Sequence, residues 1–361
     1  CSLCQGRMQA AATKMLQSGG LTQGADGAYT YCTGLYRPRK PLKKYAVHFA
    51  GGRAKGVRRR KKGRLWQSSR HGVGRGAAGG FAMSWMIVSD TSCEIRELED
   101  LCAGVQFGLV PFKIRVGERE FVDLPTLSVR QMLKTMTDYK GGSSTACPSP
   151  EEWAEQFLKA DNVIALTISH NLSGSYNAAQ SAREMVLDEY PDKNIFILDT
   201  LSCAGALAEA AVLANRLVGE GKSFEEICRA LTEHNDAGHI LFALASFENL
   251  AKAGRVSKVV GFIAGALNMR VLGRRTPDGK IDFFYKTRGE TRVLARILEQ
   301  MDLDGFDGSR TVRISHCDNE TAAGLLEHGI HAKWPQAEVV VTPCAGLCSF
   351  YAQDQGIILT Y

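Results

Sequence analysis

The chain has 361 residues, with 44 Lys and Arg against 38 Asp and Glu and a net charge of +6 at pH 7. That sum describes neither part of it: residues 1–82 hold 17 Lys and Arg against one acid, Asp26, while the remaining 279 hold 27 against 37. The overall basicity is therefore no argument for nucleic acid in the larger part. No uncharged apolar run approaches the roughly 18 residues of a membrane helix, and no apolar signal core stands near the start, so a soluble, cytoplasmic protein is expected.

Residues 1–82 are rich in Gly and poor in apolar periodicity, a composition that cannot bury enough surface to offset chain entropy. Their basic runs, Arg37 to Lys44 and Arg58 to Lys62, lie among Gly, Ser and Ala. Gly74 to Gly79 matches G-x-G-x-x-G, but no strand precedes it and no acid follows at the needed distance, so the match is chance. Cys1 and Cys4 have the spacing of half a zinc knuckle without a second pair, and Cys32 and His48 are weak ligand candidates, so no metal is expected. A basic nucleic-acid arm, a targeting peptide and a disordered or non-native extension all fit this composition. The extension is favoured: the chain begins with Cys, and Ala78 to Ala82 can be encoded by a purine-rich ribosome-binding site ahead of Met83.

From Met83 onward, short apolar runs alternate with helical patterns. Met86–Asp90 reads as a buried strand, and Val163–Ser169 as a second, followed by a helix from Ser175. Ser149, Pro150 and Glu152 form a capping box opening another helix. Asn194–Asp199 is a third strand, leading into an Ala-rich helix over 205–218, and His239–Ser246 is a fourth. Such alternation predicts a parallel sheet with helices on both faces. Beyond it, Met269–Gly273 and Ile281–Tyr285 flank the turn Pro277-Asp278-Gly279-Lys280, which predicts a hairpin. A helix over 290–301, a strand over 311–315, a helix over 319–333, a strand over 338–342 and a final strand over 356–361 complete a mixed α/β lobe. The expected organisation is an α/β fold in two lobes, 83–246 and 247–361. The eight cysteines from Cys93 to Cys348 contain no C-x-x-C pair and read as reduced, mostly buried thiols.

Hydroxyl residues collect where strands end: Asp90-Thr91-Ser92, Ser169 to Ser175, and Asp199 to Ser202. The carboxyl ends of parallel strands open onto the ligand crevice of such sheets, and the helix starts that follow offer unpaired amides to an anion. Each hydroxyl taken singly reads as an N-cap; as a set with helix N-termini and few buried cations, they suit a small anionic group such as a carboxylate. Thr145, in the Gly-rich loop 141–147, is placed to project into the same crevice. The run Val259–Leu267 is apolar on all faces with Gly and Ala interleaved, which suits a tunnel wall or ordinary core. His170 and Ser173 lie three apart without G-x-S-x-G, so a serine-dependent acyl hydrolase or transferase at Ser173 stands only as the alternative.

Five stretches, in order, resemble the signatures of the DegV family of fatty-acid-binding proteins: Ser89 to Glu94, Thr145 to Pro150, Ile168 to Tyr176, Asp199 to Gly205, and Leu250 to Ser257. The resemblance spans residues 86–361. It implies a non-enzymatic bacterial protein with one long-chain fatty acid in a tunnel between its lobes, no cofactor, and a fatty acid kinase as partner, which phosphorylates the bound carboxyl group for lipid metabolism and phospholipid synthesis. Position by position, it implies that Thr145 and Ser173 bind the carboxylate, with Ser169 and Gly174 in the same loop. Tyr351 stands where many members carry a His, and Arg255 and Lys258 would form the docking turn for the kinase.

Overall fold

The computed structural model describes residues 83–256 and 268–361, together with two short strands upstream, β1 (Leu21–Gln23) and β2 (Tyr29–Tyr31), which pair antiparallel. The chain divides into two units, Cys1–Gly76 and Ala77–Tyr361. The remaining expectations for residues 1–82, together with Lys258 and the run Val259–Leu267, lie outside the described residues.

The second unit opens with β3 (Trp85–Asp90), the centre of a four-stranded parallel sheet. Its neighbours are β4 (Val105–Val110) and β8 (Asn162–Thr167), with β9 (Asn194–Asp199) beyond β8. Strand pleating sends alternate residues to opposite faces. Met86 and Val88 meet Trp153 and Phe157 of α2 (Pro150–Phe157) and Ala179 and Ala182 of α3 (Ser175–Glu189). Ile87, one residue out of phase, packs with Leu207 and Ala211 of α4 (Gly205–Gly219) and Leu231 of α5 (Phe224–Asp236). Trp153 and Phe157 are fully buried, and each such side chain contributes about 1.5–3 kcal/mol of transfer free energy. The expected capping box is present: Ser149 accepts from the Glu152 amide, and the Glu152 carboxylate accepts from that of Ser149 at 2.8 Å.

A small antiparallel sheet, β5 (Lys113–Val116) between β6 (Arg119–Val122) and β7 (Ser143–Ala146), is inserted after β4, with α1 (Val129–Asp138) between its last two strands. These elements were not legible as periodic runs.

The second lobe is a six-stranded mixed sheet in the order β12, β11, β10, β15, β13, β14. The predicted hairpin is β11 (Met269–Arg275) and β12 (Ile281–Arg288). β13 (Val312–His316) runs parallel to β14 (Val339–Pro343) and antiparallel to the terminal β15 (Ile357–Thr360). One expectation is corrected here. β10 (Ile240–Leu244), read as a fourth parallel strand, pairs antiparallel with β11 and β15; β4 completes the parallel sheet instead, and the second sheet begins ahead of residue 246. β10 is buried on both faces, Leu241 and Ala243 toward one core and Ile240, Phe242 and Leu244 toward another, so its pattern carries no information about which sheet it joins. Helices α7 (Glu290–Leu303) and α8 (Glu320–Lys333) cover the first of those faces. The short helices α6 (Glu248–Lys252) and α9 (Gly346–Ala352) lie on the other, toward the first lobe.

Candidate functional site

A cavity of about 290 Å³ opens where the end of the parallel sheet, the small antiparallel sheet and the inner face of the mixed sheet meet. Its wall is mainly apolar, with Phe112, Ile168, Phe242, Leu244, Leu250 and Ile358 among its residues. Three hydroxyls interrupt that wall: Thr145, Ser173 and Tyr351. Thr145 Oγ1 and the Tyr351 hydroxyl lie 2.9 Å apart, a hydrogen bond between residues 206 positions apart in the chain. An apolar cavity with a few convergent polar groups is the usual form of a small-molecule site.

Each hydroxyl is held by a different device. Thr145 is on β7, paired with Ile114 of β5, whose own side chain is buried. Ser173 sits in the turn after β8, where the amides of Leu172 and Ser173 both donate to the Ser169 carbonyl, at 2.9 and 3.1 Å. Its Oγ accepts from the Ser175 amide at 3.2 Å. Gly174, also in the cavity wall, is the N-cap of α3, which puts the positive end of that helix beside the cavity.

Tyr351 rides on α9, and two buried carboxylates hold the start of that helix. Glu94 Oε2 accepts from the Ala345 amide at 2.6 Å, and Asp123 accepts from Gly346 and Leu347 at 3.0 and 2.8 Å. Arg96 neutralises Asp123 at 2.9 Å. A Cβ on Gly346 would lie 2.6 Å from Asp123 Oδ1, so this approach requires glycine. Burial pushes the Glu94 carboxyl up to about 7 and raises Asp123 as well. Neither acid was legible as a site residue: an isolated Glu or Asp in a loop ordinarily reads as solvated, and nothing in its spacing marks a helix start some 220–250 residues away.

Most of the hydroxyls expected to line the crevice do not reach it. Asp90 is fully buried and accepts from Ser92 N, Ser92 Oγ, Ile168 N and Ser175 Oγ, at 3.1, 2.6, 3.0 and 2.7 Å. Burial raises its pKa while these four donors oppose the shift. Thr91 accepts from the Phe112 amide, and Thr200 donates to the Thr167 carbonyl. Ser169 is likewise fully buried; its Oγ donates to the Gly279 carbonyl at 2.7 Å in the β11–β12 turn, and it is absent from the cavity wall. It thus clasps the two lobes and stands behind the cavity wall, not in it. None of these residues is an N-cap: α3 and α4 start at Gly174 and Ala204, neither with a side-chain cap bond, and the hydroxyls in the cavity wall are those of Thr145, Ser173 and Tyr351.

His170 has an acidic partner that sequence spacing did not reveal: its Nδ1 lies 2.5 Å from Asp199 Oδ2. The other ring nitrogen is 2.9 Å from Asn171 Nδ2, which also donates to the Asp278 carbonyl. The imidazole is therefore bonded to Asn171 and not to Ser173, and no Ser–His–Asp relay is assembled. Arg255, expected on a surface apart from the ligand, is at the cavity rim. Its Nε donates to the Leu172 carbonyl at 2.9 Å and so braces the Ser173 turn. Among the described residues no helix is long and apolar enough to cross a membrane, and no group of His, Cys, Asp and Glu is arranged to hold a metal ion.

Fold and site together define a two-sheet α/β protein with a largely apolar cavity whose wall carries three hydroxyls. The family model described as "Uncharacterised protein, DegV family" matches residues 84–357. A DegV domain-containing protein of Streptococcus gordonii is 36% identical over 279 residues, which cover 77% of this chain and 99% of that one. The Streptococcus pneumoniae fatty acid kinase (Fak) B3 protein, solved loaded with linoleic acid, superposes with a TM-score of 0.75 at 34% identity, covering 77% of this chain and 99% of that one. A DegV family protein of Eubacterium eligens, solved with heptadecanoic acid, gives 0.73 at 34% identity over the same shares. The chain belongs to the DegV family of fatty-acid-binding proteins.

Proposed function

We propose that this protein binds one long-chain fatty acid between its two lobes, acyl chain in the apolar cavity, and presents the carboxyl group to a fatty acid kinase for acyl-phosphate formation in the cytoplasm. The carboxylate is held by Thr145, Ser173 and Tyr351 with the α3 amides beyond Gly174, and by no buried cation. The observation that carries this reading is a largely apolar cavity whose wall takes three hydroxyls from β7, the β8–α3 turn and α9, two of them, Thr145 and Tyr351, 2.9 Å apart. Hydroxyl donors and a helix start suit a carboxylate that must stay reactive, because they bind the charge without burying a permanent ion pair. Arg255, at the rim, and Lys258, three residues on, would meet the phosphates delivered by the kinase.

Native mass spectrometry of the purified protein tests this. One equivalent of a C16–C18 fatty acid, or its uptake after delipidation and incubation with oleate, is expected. A delipidated, folded protein that takes up no oleate refutes the reading.

A further inference from the structure

A second cavity, of about 330 Å³, shares no wall residue with the apolar one and differs from it in character. Its wall holds three arginines: Arg216 of α4, Arg275 at the end of β11 and Arg310 just ahead of β13. Arg275 and Arg310 are partly buried, and among the described residues neither forms an ion pair. Part of their role is to hold the end of α5. Arg275 Nη2 donates to the Gly238 and Asn235 carbonyls at 2.5 and 3.2 Å, and Arg310 Nη2 to the His234 carbonyl at 3.1 Å. A helix C-terminus attracts such side chains, but it occupies one nitrogen of each. Nε and Nη1 of both carry no hydrogen bond among the described residues and are not sealed from solvent. The acids of the wall do not balance this charge. Glu209 is taken by Arg313 at 2.5 Å, and the exposed Glu338 accepts from Thr311 Oγ1 at 3.0 Å. Arg216 has a loose contact with Glu220, at 3.8 Å. The imidazoles add no charge at pH 7: burial, and then Arg310 and Arg216, push His234 down to about 4, and burial lowers His239. In the same wall Thr360 is 4% exposed, and its Oγ1 has no hydrogen-bond partner.

We propose that this second cavity binds the phosphate ester of a small organic molecule, its phosphate among Arg216, Arg275 and Arg310 and its apolar body along Val212 and Leu213 of α4. Guanidiniums drawn partly out of water without a counter-charge are costly, and an anion among them relieves that cost. A planar carboxylate is satisfied by one guanidinium fork. A tetrahedral phosphate offers oxygens in several directions and suits donors that arrive from three elements. The cavity is much larger than a phosphate group, and Val212 and Leu213 give its wall an apolar part. Arg216 belongs to the first lobe and Arg275 and Arg310 to the second, so the bound ester bridges the lobes. The site stands apart from the fatty-acid-binding reading, which it neither needs nor supports.

The test is isothermal titration of the full chain, in phosphate-free buffer, with phenyl phosphate, inorganic phosphate and citrate, before and after incubation with oleate. Phenyl phosphate is expected to bind at one site per chain, more tightly than either other anion and with the same affinity in both samples. Arg310→Gln is expected to weaken it roughly tenfold to a hundredfold. Arg216→Gln, whose guanidinium bonds no helix carbonyl, is expected to weaken it about threefold to tenfold, as befits a more exposed charge, with the melting point unchanged. Should Arg310→Gln lower the melting point, Arg310→Lys, which keeps the charge and loses the fork, is expected to fold and to give an intermediate loss. The proposal is overturned if phenyl phosphate does not bind, if citrate or inorganic phosphate binds as tightly, or if oleate displaces it. It is equally overturned if affinity survives in the Arg216 and Arg310 variants and falls in Arg255→Ala, which would put the anion at the rim of the apolar cavity.

Discussion

Removing the hydroxyls of Thr145 and Tyr351, singly and together, probes the carboxylate site most directly. Thr145→Val and Tyr351→Phe each delete one oxygen or exchange it for a methyl, leaving volume almost unchanged. The two oxygens are 2.9 Å apart, close enough for both to donate to one carboxylate. A hydrogen bond to a charged acceptor is worth about 1.5–3 kcal/mol, so each single variant is expected to weaken oleate binding roughly tenfold to a hundredfold. Without ligand the two hydroxyls satisfy one another, so losing either also frees its partner from competition. Direct neighbours of this kind couple by about 0.5–3 kcal/mol, and the double variant is expected to lose measurably less than the sum of the singles. Isothermal titration with oleate on delipidated protein gives all four affinities, and thermal melting of the same samples is expected to show changes within about 1 kcal/mol. Affinities within about twofold of one another across the four proteins would place the carboxylate elsewhere.

Asp123→Ala leaves Arg96 and the amides of Gly346 and Leu347 without their acceptor and is expected to cost about 3–5 kcal/mol in urea unfolding; a cost below about 1 kcal/mol would mean that α9 is held by packing alone. Glu94 has its pKa raised by burial from 4.5 to about 7, so the folded state binds this proton more tightly than the unfolded chain. Its contribution to stability is full below about pH 4.5 and is lost as pH rises toward 7, a change on the order of 3 kcal/mol. Glu94→Gln is expected to abolish that fall, and parallel stability–pH curves would refute it. A chain beginning at Met83 is expected to melt and bind oleate as the full chain does; a melting point lower by several degrees would show that residues 1–82 contribute to the domain. Arg255→Ala is expected to slow acyl-phosphate formation by a cognate fatty acid kinase more than it weakens oleate binding, and the reverse order would assign Arg255 to the ligand.

Strands whose two faces meet similar surroundings were the easiest elements to foresee. β3, β8 and β9 are apolar runs ended by polar residues, and β8 and β9 each lead to a helix, so their kind and place follow from period and punctuation. β10 has the same appearance and a different partner, because a strand buried on both faces does not encode its neighbours. β4 and β7 were missed for the opposite reason. The Ser143–Ala146 segment carries little apolar signal, and in β4 the alternation of Val105, Phe107 and Leu109 is broken on its other face by Gln106 and Gly108, so the pairing of both is decided by residues far away. In the site, Thr145 and Ser173 were recoverable from short motifs, since a turn that must expose a hydroxyl at a helix start constrains its neighbours. Ser169 shared that motif and proved to be a clasp, because its contact is with the Gly279 carbonyl of another lobe. Glu94 and Asp123 act only through a helix more than 200 residues away, a relation that no local pattern expresses.

The joining of Glu94 and Asp123 to the start of α9 also has a consequence in time. The ribosome makes the N-terminal acids, the small sheet and Thr145 long before Ala345 to Tyr351, yet the polar end of the cavity exists only when α9 has docked on those acids. Contacts of such long span are slow to form and reward the chain only at the end of folding. A chain that has not yet made α9 therefore lacks both Tyr351 and the apolar wall residues Leu347 and Ala352, and on the proposed reading it has no selective site for an acid until that helix docks.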